Sequence, residues 1–114
     1  MLACDLVVAD ETVKVAVSEA RIGINAVDIP LKLARKIGYA KAFALLVPGD
    51  AKDSAWCQAA GLVEIVTPVG EAQSRAFELA TEIVQSCAPL AVRPKRKHSG
   101  ELYLKAKQQA DVRA

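Results

Sequence analysis

The segment Cys4-Asp5-Leu6-Val7-Val8-Ala9-Asp10-Glu11-Thr12-Val13-Lys14-Val15-Ala16-Val17-Ser18-Glu19-Ala20-Arg21-Ile22-Gly23 holds two β-type runs and then an apolar loop. From Cys4 to Asp10 the residues are mostly β-branched or apolar, which predicts a strand. Asp10-Glu11-Thr12 has turn composition. Val13, Val15 and Val17 then alternate with Lys14 and Ala16, the period of a second strand with one buried face. Two strands alone do not make a stable sheet, so this opening implies further strands as partners. Glu19 follows the valine run and precedes the loop Ala20-Arg21-Ile22-Gly23-Ile24. A carboxyl desolvated in such a loop is poised for proton transfer. The alternative is an ordinary exposed turn glutamate paired with Arg21.

Beyond the loop the pattern changes to helical spacing. Ile29, Leu33 and Ile37 recur every four residues, and Asp28 before Ile29-Pro30 fits an N-cap with proline in the first turn. This predicts a helix over 28–37, stopped by Gly38. A second helix is expected over 40–47, ended by Pro48-Gly49, and a third over 52–60, capped by Asp50 and stopped by Gly61. Leu62 to Val66 reads as a short strand. The plainest amphipathic helix is 71–87, with Ala72, Ala76, Leu79, Ala80, Ile83, Val84 and Cys87 on one stripe. Ala88-Pro89 restarts the chain, and a last helix is expected over 101–112.

The 114 residues suffice for one modest core. Hydrophobic residues reach 53% but aromatics only 4%, so the core is built from small side chains, each burying little area. That apolar share excludes intrinsic disorder. The longest apolar run, Ala42 to Val47, is far short of the roughly 20 residues of a membrane span. Net charge is +2, unevenly spread: residues 1–92 hold 8 Lys/Arg against 11 Asp/Glu, and 93–114 hold 7 against 2. The basic end fits a solvated helix, or a surface meeting phosphate groups. Arg93, Lys95, Arg96, Lys97 and His98 lack the interleaved aromatics of a nucleic-acid groove, and no nucleic-acid partner is expected.

Cys4, Cys57 and Cys87 are an odd set with no metal-ligand spacing, and the single His98 does not complete a zinc site. Buried free thiols in a reducing compartment are expected. No secretory signal pattern is present, and the cytoplasm is the default setting. No serine stands in a nucleophile-elbow context, and no glycine-rich phosphate loop occurs.

Taken in order, these pieces resemble the crotonase superfamily of enoyl-CoA hydratases and isomerases. There a C-D-hydrophobic strand and a short second strand lead into P-E-x-x-x-G, as Cys4-Asp5-Leu6-Val7-Val8-Ala9 leads through Val13–Val17 to Glu19 and Gly23. Gly49-Asp50 and Ala59-Ala60-Gly61-Leu62-Val63-Glu64-Ile65-Val66 resemble the family's T-G-D and A-x-x-x-G-L-V-x-x-V. Ala88-Pro89-Leu90-Ala91-Val92-Arg93 resembles its A-P-L-A-V-R helix start. The likeness runs from about residue 2 to residue 98.

The resemblance implies an α/β chain: a partial crotonase-like spiral core of two or three short strands over 1–67, then helices of a C-terminal trimerisation region over 68–114. It implies an acyl-CoA thioester as substrate, with coenzyme A part of that substrate and no separate cofactor or metal. The thioester enolate is stabilised by two backbone N–H groups. Glu19 falls on the family's second carboxylate, a proton donor and acceptor or an activator of water. Gly23 and Asp28 fall on the substrate-binding loop. A homo-oligomer, trimer or hexamer, is implied as well. Departures accompany the likeness. Ser18 replaces the proline before the glutamate, and Asn25-Ala26-Val27-Asp28 replaces a glycine-rich segment, as in methylglutaconyl-CoA hydratase-like members. Members are more than twice as long, and the oxyanion donors and first glutamate belong to a half that would precede Met1. The implied state is a C-terminal half, weakly active alone; the alternative is a non-catalytic assembly module that binds itself or a full-length partner.

Overall fold

Leu33 and Ile37 occupy one face of a helix that carries Pro30 in its first turn, and both are buried. In the computed structural model, which describes residues 1–23 and 27–86, this helix is α1 (Ile29–Ile37). Gly38 separates it from α2 (Tyr39–Leu46), and the two pack against each other. Ala42 and Leu45 of α2 join Leu33 and Ile37 in the core, with Leu45 fully buried. Helix α3 (Ser54–Ala60) adds Cys57, and Leu62 and Val63 complete the cluster.

Beside this core, strand β1 (Val8–Asp10) pairs in parallel with β2 (Ile65–Thr67), with Val8 opposite Ile65 and Asp10 opposite Thr67. Glu64 ties the two entry points together. Its N–H donates to Val7 O at 2.9 Å, its carboxylate accepts from the Val7 N–H, and Lys36 Nζ lies 3.6 Å from that carboxylate. The fold class is mixed α/β, as expected.

The chain divides into two compact units, Met1–Ala76 and Phe77–Ala114. Helix α4 (Ala72–Ser86) begins in the first and continues into the second. Along it Ala72, Leu79 and Ile83 are half-buried while Ala76, Ala80 and Val84 are exposed, so the sequence stripe is narrower than expected. Cys87, the Ala88-Pro89 restart, the basic residues 93–98 and the expected helix over 101–112 lie outside the described residues.

Several expectations are corrected. The first strand is three residues, not seven, because residues 1–4 form a turn closed by Cys4 N–H to Met1 O at 3.1 Å. Cys4 is therefore exposed, and among the described thiols only Cys57 is buried. Val13–Val17 is no strand of a hairpin. Its valines are half-buried and its Lys14 and Ala16 exposed, as the alternation requires, but its pairing is a single antiparallel bridge between Val15 and Lys52. That bridge keeps residue 52 extended, so α3 starts later than expected. Its cap is Asp53, whose Oδ1 accepts from Trp56 N–H at 2.8 Å, and not Asp50. Leu62 and Val63 are core residues rather than strand residues, because both their N–H groups bond back to Cys57 O across the end of α3.

Candidate functional site

The extended run ends at Val17, and Ser18 turns the chain with helical angles of φ −94° and ψ −2°. Glu19–Ile22 then form one 3-10 turn, in which Arg21 N–H donates to Ser18 O at 3.0 Å. Gly23 closes it at φ +73°, its N–H directed to Ala20 O and Glu19 O. Open space surrounds the position of a Gly23 Cβ, so glycine is required there by backbone angle and not by crowding. An L side chain in that region costs about 1–2 kcal/mol.

Glu19 is half-buried and continues the inward alternation of Val13, Val15 and Val17. Ala20, Arg21, Ile22 and Gly23 around it are exposed, Ile22 at 70%. The turn thus holds one carboxyl at the margin between an apolar run and solvent. Of the three residues singled out in the sequence, Glu19 and Gly23 share this turn. Asp28 is set apart on the N-cap position of α1, where it is exposed and its side chain makes no capping bond.

A second chain segment supports the turn. Val15 N–H donates to Lys52 O at 2.9 Å and Lys52 N–H to Val15 O at 2.8 Å. Gly49, at φ +64°, is buried beneath the Arg21 stem: a Cβ there would lie 2.7 Å from Arg21 Cγ, 2.8 Å from Cδ and 3.3 Å from Val17 O. Arg21 therefore lies across Gly49, and it forms no ion pair with Glu19 among the described residues. Lys52 Nζ sits 3.0 Å from Asp50 Oδ2 and 5.6 Å from the Trp56 ring centroid. The hydrogen bond from Lys52 is the main cause holding the Asp50 carboxyl below the usual carboxylate range, and the Arg21 charge adds a smaller effect. The family resemblance singles out Glu19 and Gly23, whereas nothing in the sequence points to the Arg21–Gly49 contact. Pro48-Gly49-Asp50 signals a turn, yet no local pattern says which side chain covers it. Among the described residues, no three His, Cys, Asp or Glu side chains converge to hold a metal ion, and no helix is long and apolar enough to cross a membrane.

Several known proteins are similar to this chain. A family model described as Enoyl-CoA hydratase/isomerase matches residues 1–113. A putative enoyl-CoA hydratase of Thermus thermophilus is 37% identical over 92 residues, 81% of this chain and 36% of that protein. A probable enoyl-CoA hydratase of Mycobacterium bovis is 34% identical over 89 residues, 77% of this chain and 35% of that protein. Among solved structures, an enoyl-CoA hydratase of Mycobacterium paratuberculosis superposes with a TM-score of 0.84 at 26% identity, covering 99% of this chain and 52% of that one. The Bacillus anthracis enoyl-CoA hydratase does so with a TM-score of 0.77 at 27% identity, covering 99% and 48%. The chain spans only about a third of the length of the curated relatives that it matches. The family match over nearly the whole sequence agrees with the fold shared with these hydratases: the chain belongs to the enoyl-CoA hydratase/isomerase family.

Proposed function

We propose that this chain is the C-terminal half of an enoyl-CoA hydratase/isomerase acting on an acyl-CoA thioester, with Glu19 as its acid–base residue. The observation that carries this reading is the half-buried carboxyl at the head of a turn closed by a left-handed glycine. In hydration, water adds across the Cα=Cβ bond conjugated to the thioester. Oxygen bonds to Cβ, the π electrons pass to the thioester oxygen as an enolate, and a proton returns to Cα. Glu19 would take the proton from water or deliver one to Cα. In isomerisation the same carboxyl would move a proton between the α and γ carbons. Gly23 would let the backbone follow the acyl chain closely, and Asp28, on the N-cap position of α1, would contribute a substrate contact of its own.

On this reading residues 1–67 contribute part of the spiral core and 68–114 belong to a helical trimerisation region. The oxyanion donors are supplied by the other half of the family fold. Loss of one such donor costs about 10²–10³ in rate. Coenzyme A enters as part of the substrate, and the free thiols Cys4 and Cys57 suit a cytoplasmic setting. Crotonyl-CoA hydration by the purified chain, assayed beside a full-length relative, tests this. A residual rate at least 100-fold lower is expected, falling to background in Glu19→Gln. Full turnover would remove the half-enzyme reading, and an unchanged residual rate in Glu19→Gln would remove the role of Glu19.

A second reading, a non-catalytic assembly module, is favoured by a different observation. Tyr39, Phe43 and Val47 are spaced four apart on α2 and its end, and are 76%, 52% and 53% exposed. Such a stripe suits association with a second copy or with a full-length partner. A monomer in sedimentation at all concentrations would count against it.

A further inference from the structure

We propose that Arg21 is a positioning residue for Glu19, acting as a strap seated on Gly49, whose left-handed backbone at φ +64° carries no side chain and leaves that space to the Arg21 stem. The functional meaning of this strap rests on Glu19 being the acid–base residue; the strap itself rests on geometry alone. Glu19–Ile22 is a single 3-10 turn with few bonds of its own, Arg21 N–H to Ser18 O at 3.0 Å and Gly23 N–H to Ala20 O at 3.3 Å. One turn of this kind does not hold a fixed direction in water unless something outside it does.

Two contacts reach it from the 49–52 segment. The Val15–Lys52 bridge fixes the extended run leading into the turn. The Arg21 methylenes cover Gly49, whose absent Cβ would lie 2.7 Å from Cγ and 2.8 Å from Cδ. These are mid-stem atoms, so a side chain at 49 displaces the whole stem and not only its tip. Val17 O, 3.3 Å from the same point, closes the other side. The Arg21 charge also adds the smallest of the effects that lower the Asp50 carboxyl. An exposed arginine thus uses its stem for packing. Glu19 is two residues from Arg21 in the same turn, so its direction follows the strap.

The test compares amide hydrogen exchange in labelled full chain for the unmodified protein, Arg21→Ala, Arg21→Lys and Gly49→Ala. In Arg21→Ala, and in Gly49→Ala where the left-handed backbone adds its own strain, exchange at the Arg21 and Gly23 amides is expected to rise roughly tenfold as the turn opens locally. The Leu62 amide, bonded to Cys57 O at 2.9 Å in the core, is the internal reference and should not change. Arg21→Lys keeps a methylene stem and a charge and should restore protection. The Glu19 carboxyl carbon resonance should move in the two loosened variants and return in Arg21→Lys. Unchanged exchange at both amides in Arg21→Ala, a rise shared equally by Leu62, or no rescue by lysine would each overturn the strap. Glu19→Gln should leave both amides protected. Were Glu19→Gln to keep the full residual crotonyl-CoA turnover, the catalytic reading would fail while the exchange result stood.

Discussion

Cys57 has no solvent exposure, and its neighbours in the core include Leu33, Leu45 and Leu62. Burial pushes its thiol pKa above the ordinary 9.0, and the nearby Asp53 charge adds to the shift. The folded chain therefore holds this proton more tightly than the unfolded chain does. Its contribution to stability is complete below the unfolded thiol value of about 9 and is lost as pH rises through the higher folded value. Urea midpoints should stay level up to about pH 8.5 and fall above it. Cys57→Ala, with no thiol to titrate, should lower the midpoint at every pH but remove this alkaline component. A fall of the same size in Cys57→Ala would assign it to another group. Cys4, exposed on the opening turn, should react with a thiol reagent in the folded state while Cys57 reacts only after unfolding.

At the scale of elements, α3 depends on one cap. Asp53 has extended backbone angles, φ −79° and ψ 177°, and its carboxylate takes the Trp56 N–H that the helix leaves unpaired. Asp53→Ala should cost about 1 kcal/mol by denaturant unfolding, and Asp53→Asn much less, because an amide oxygen still accepts that bond. The α1–α2 pair depends on packing instead. Leu45→Ala, at a fully buried position, should cost about 2–5 kcal/mol, whereas Phe77→Ala on α4, 66% exposed, should stay within about 0.5 kcal/mol.

The same contrast explains what the sequence discloses. Helices α1 and α2 were legible because proline, glycine and a four-residue apolar spacing act within a few residues of each other. Strand pairing was not. The alternation of Val13, Val15 and Val17 reports which side faces inward, and that held, but it carries no record of the partner. β1 finds its partner in β2, far along the chain, and only the folded structure brings Val8 beside Ile65. The site divides in the same way. Glu19 and Gly23 share a short motif whose spacing is visible. The Arg21–Gly49 contact joins two loops, and the absence of a side chain at position 49 looks like any turn glycine until something is seen lying on it.

At the scale of the whole molecule, the described core is small and several large apolar side chains among the described residues are exposed. A parallel sheet ordinarily has both faces buried, yet all three β1 residues are only half-buried. Leu6 is 46% exposed just before β1, and Tyr39 and Phe43 stand with their ring centroids 6.0 Å apart on α2. The described core centres on Leu33, Ile37, Leu45 and Leu62 rather than on the small side chains expected, but it is short, and a chain of this size is marginally stable by itself. Anything that binds the folded form alone raises its stability by mass action, and a second copy of the chain is no exception. If the α2 stripe is an assembly face, the melting temperature should rise with protein concentration, and the sedimentation coefficient should rise with it. Phe43→Asp, which places a charge in the middle of that stripe without touching the buried Ala42 and Leu45, should flatten both dependences. A melting temperature independent of concentration in the unmodified chain, together with a monomeric sedimentation coefficient, would leave the stripe as bare surface and remove the assembly reading.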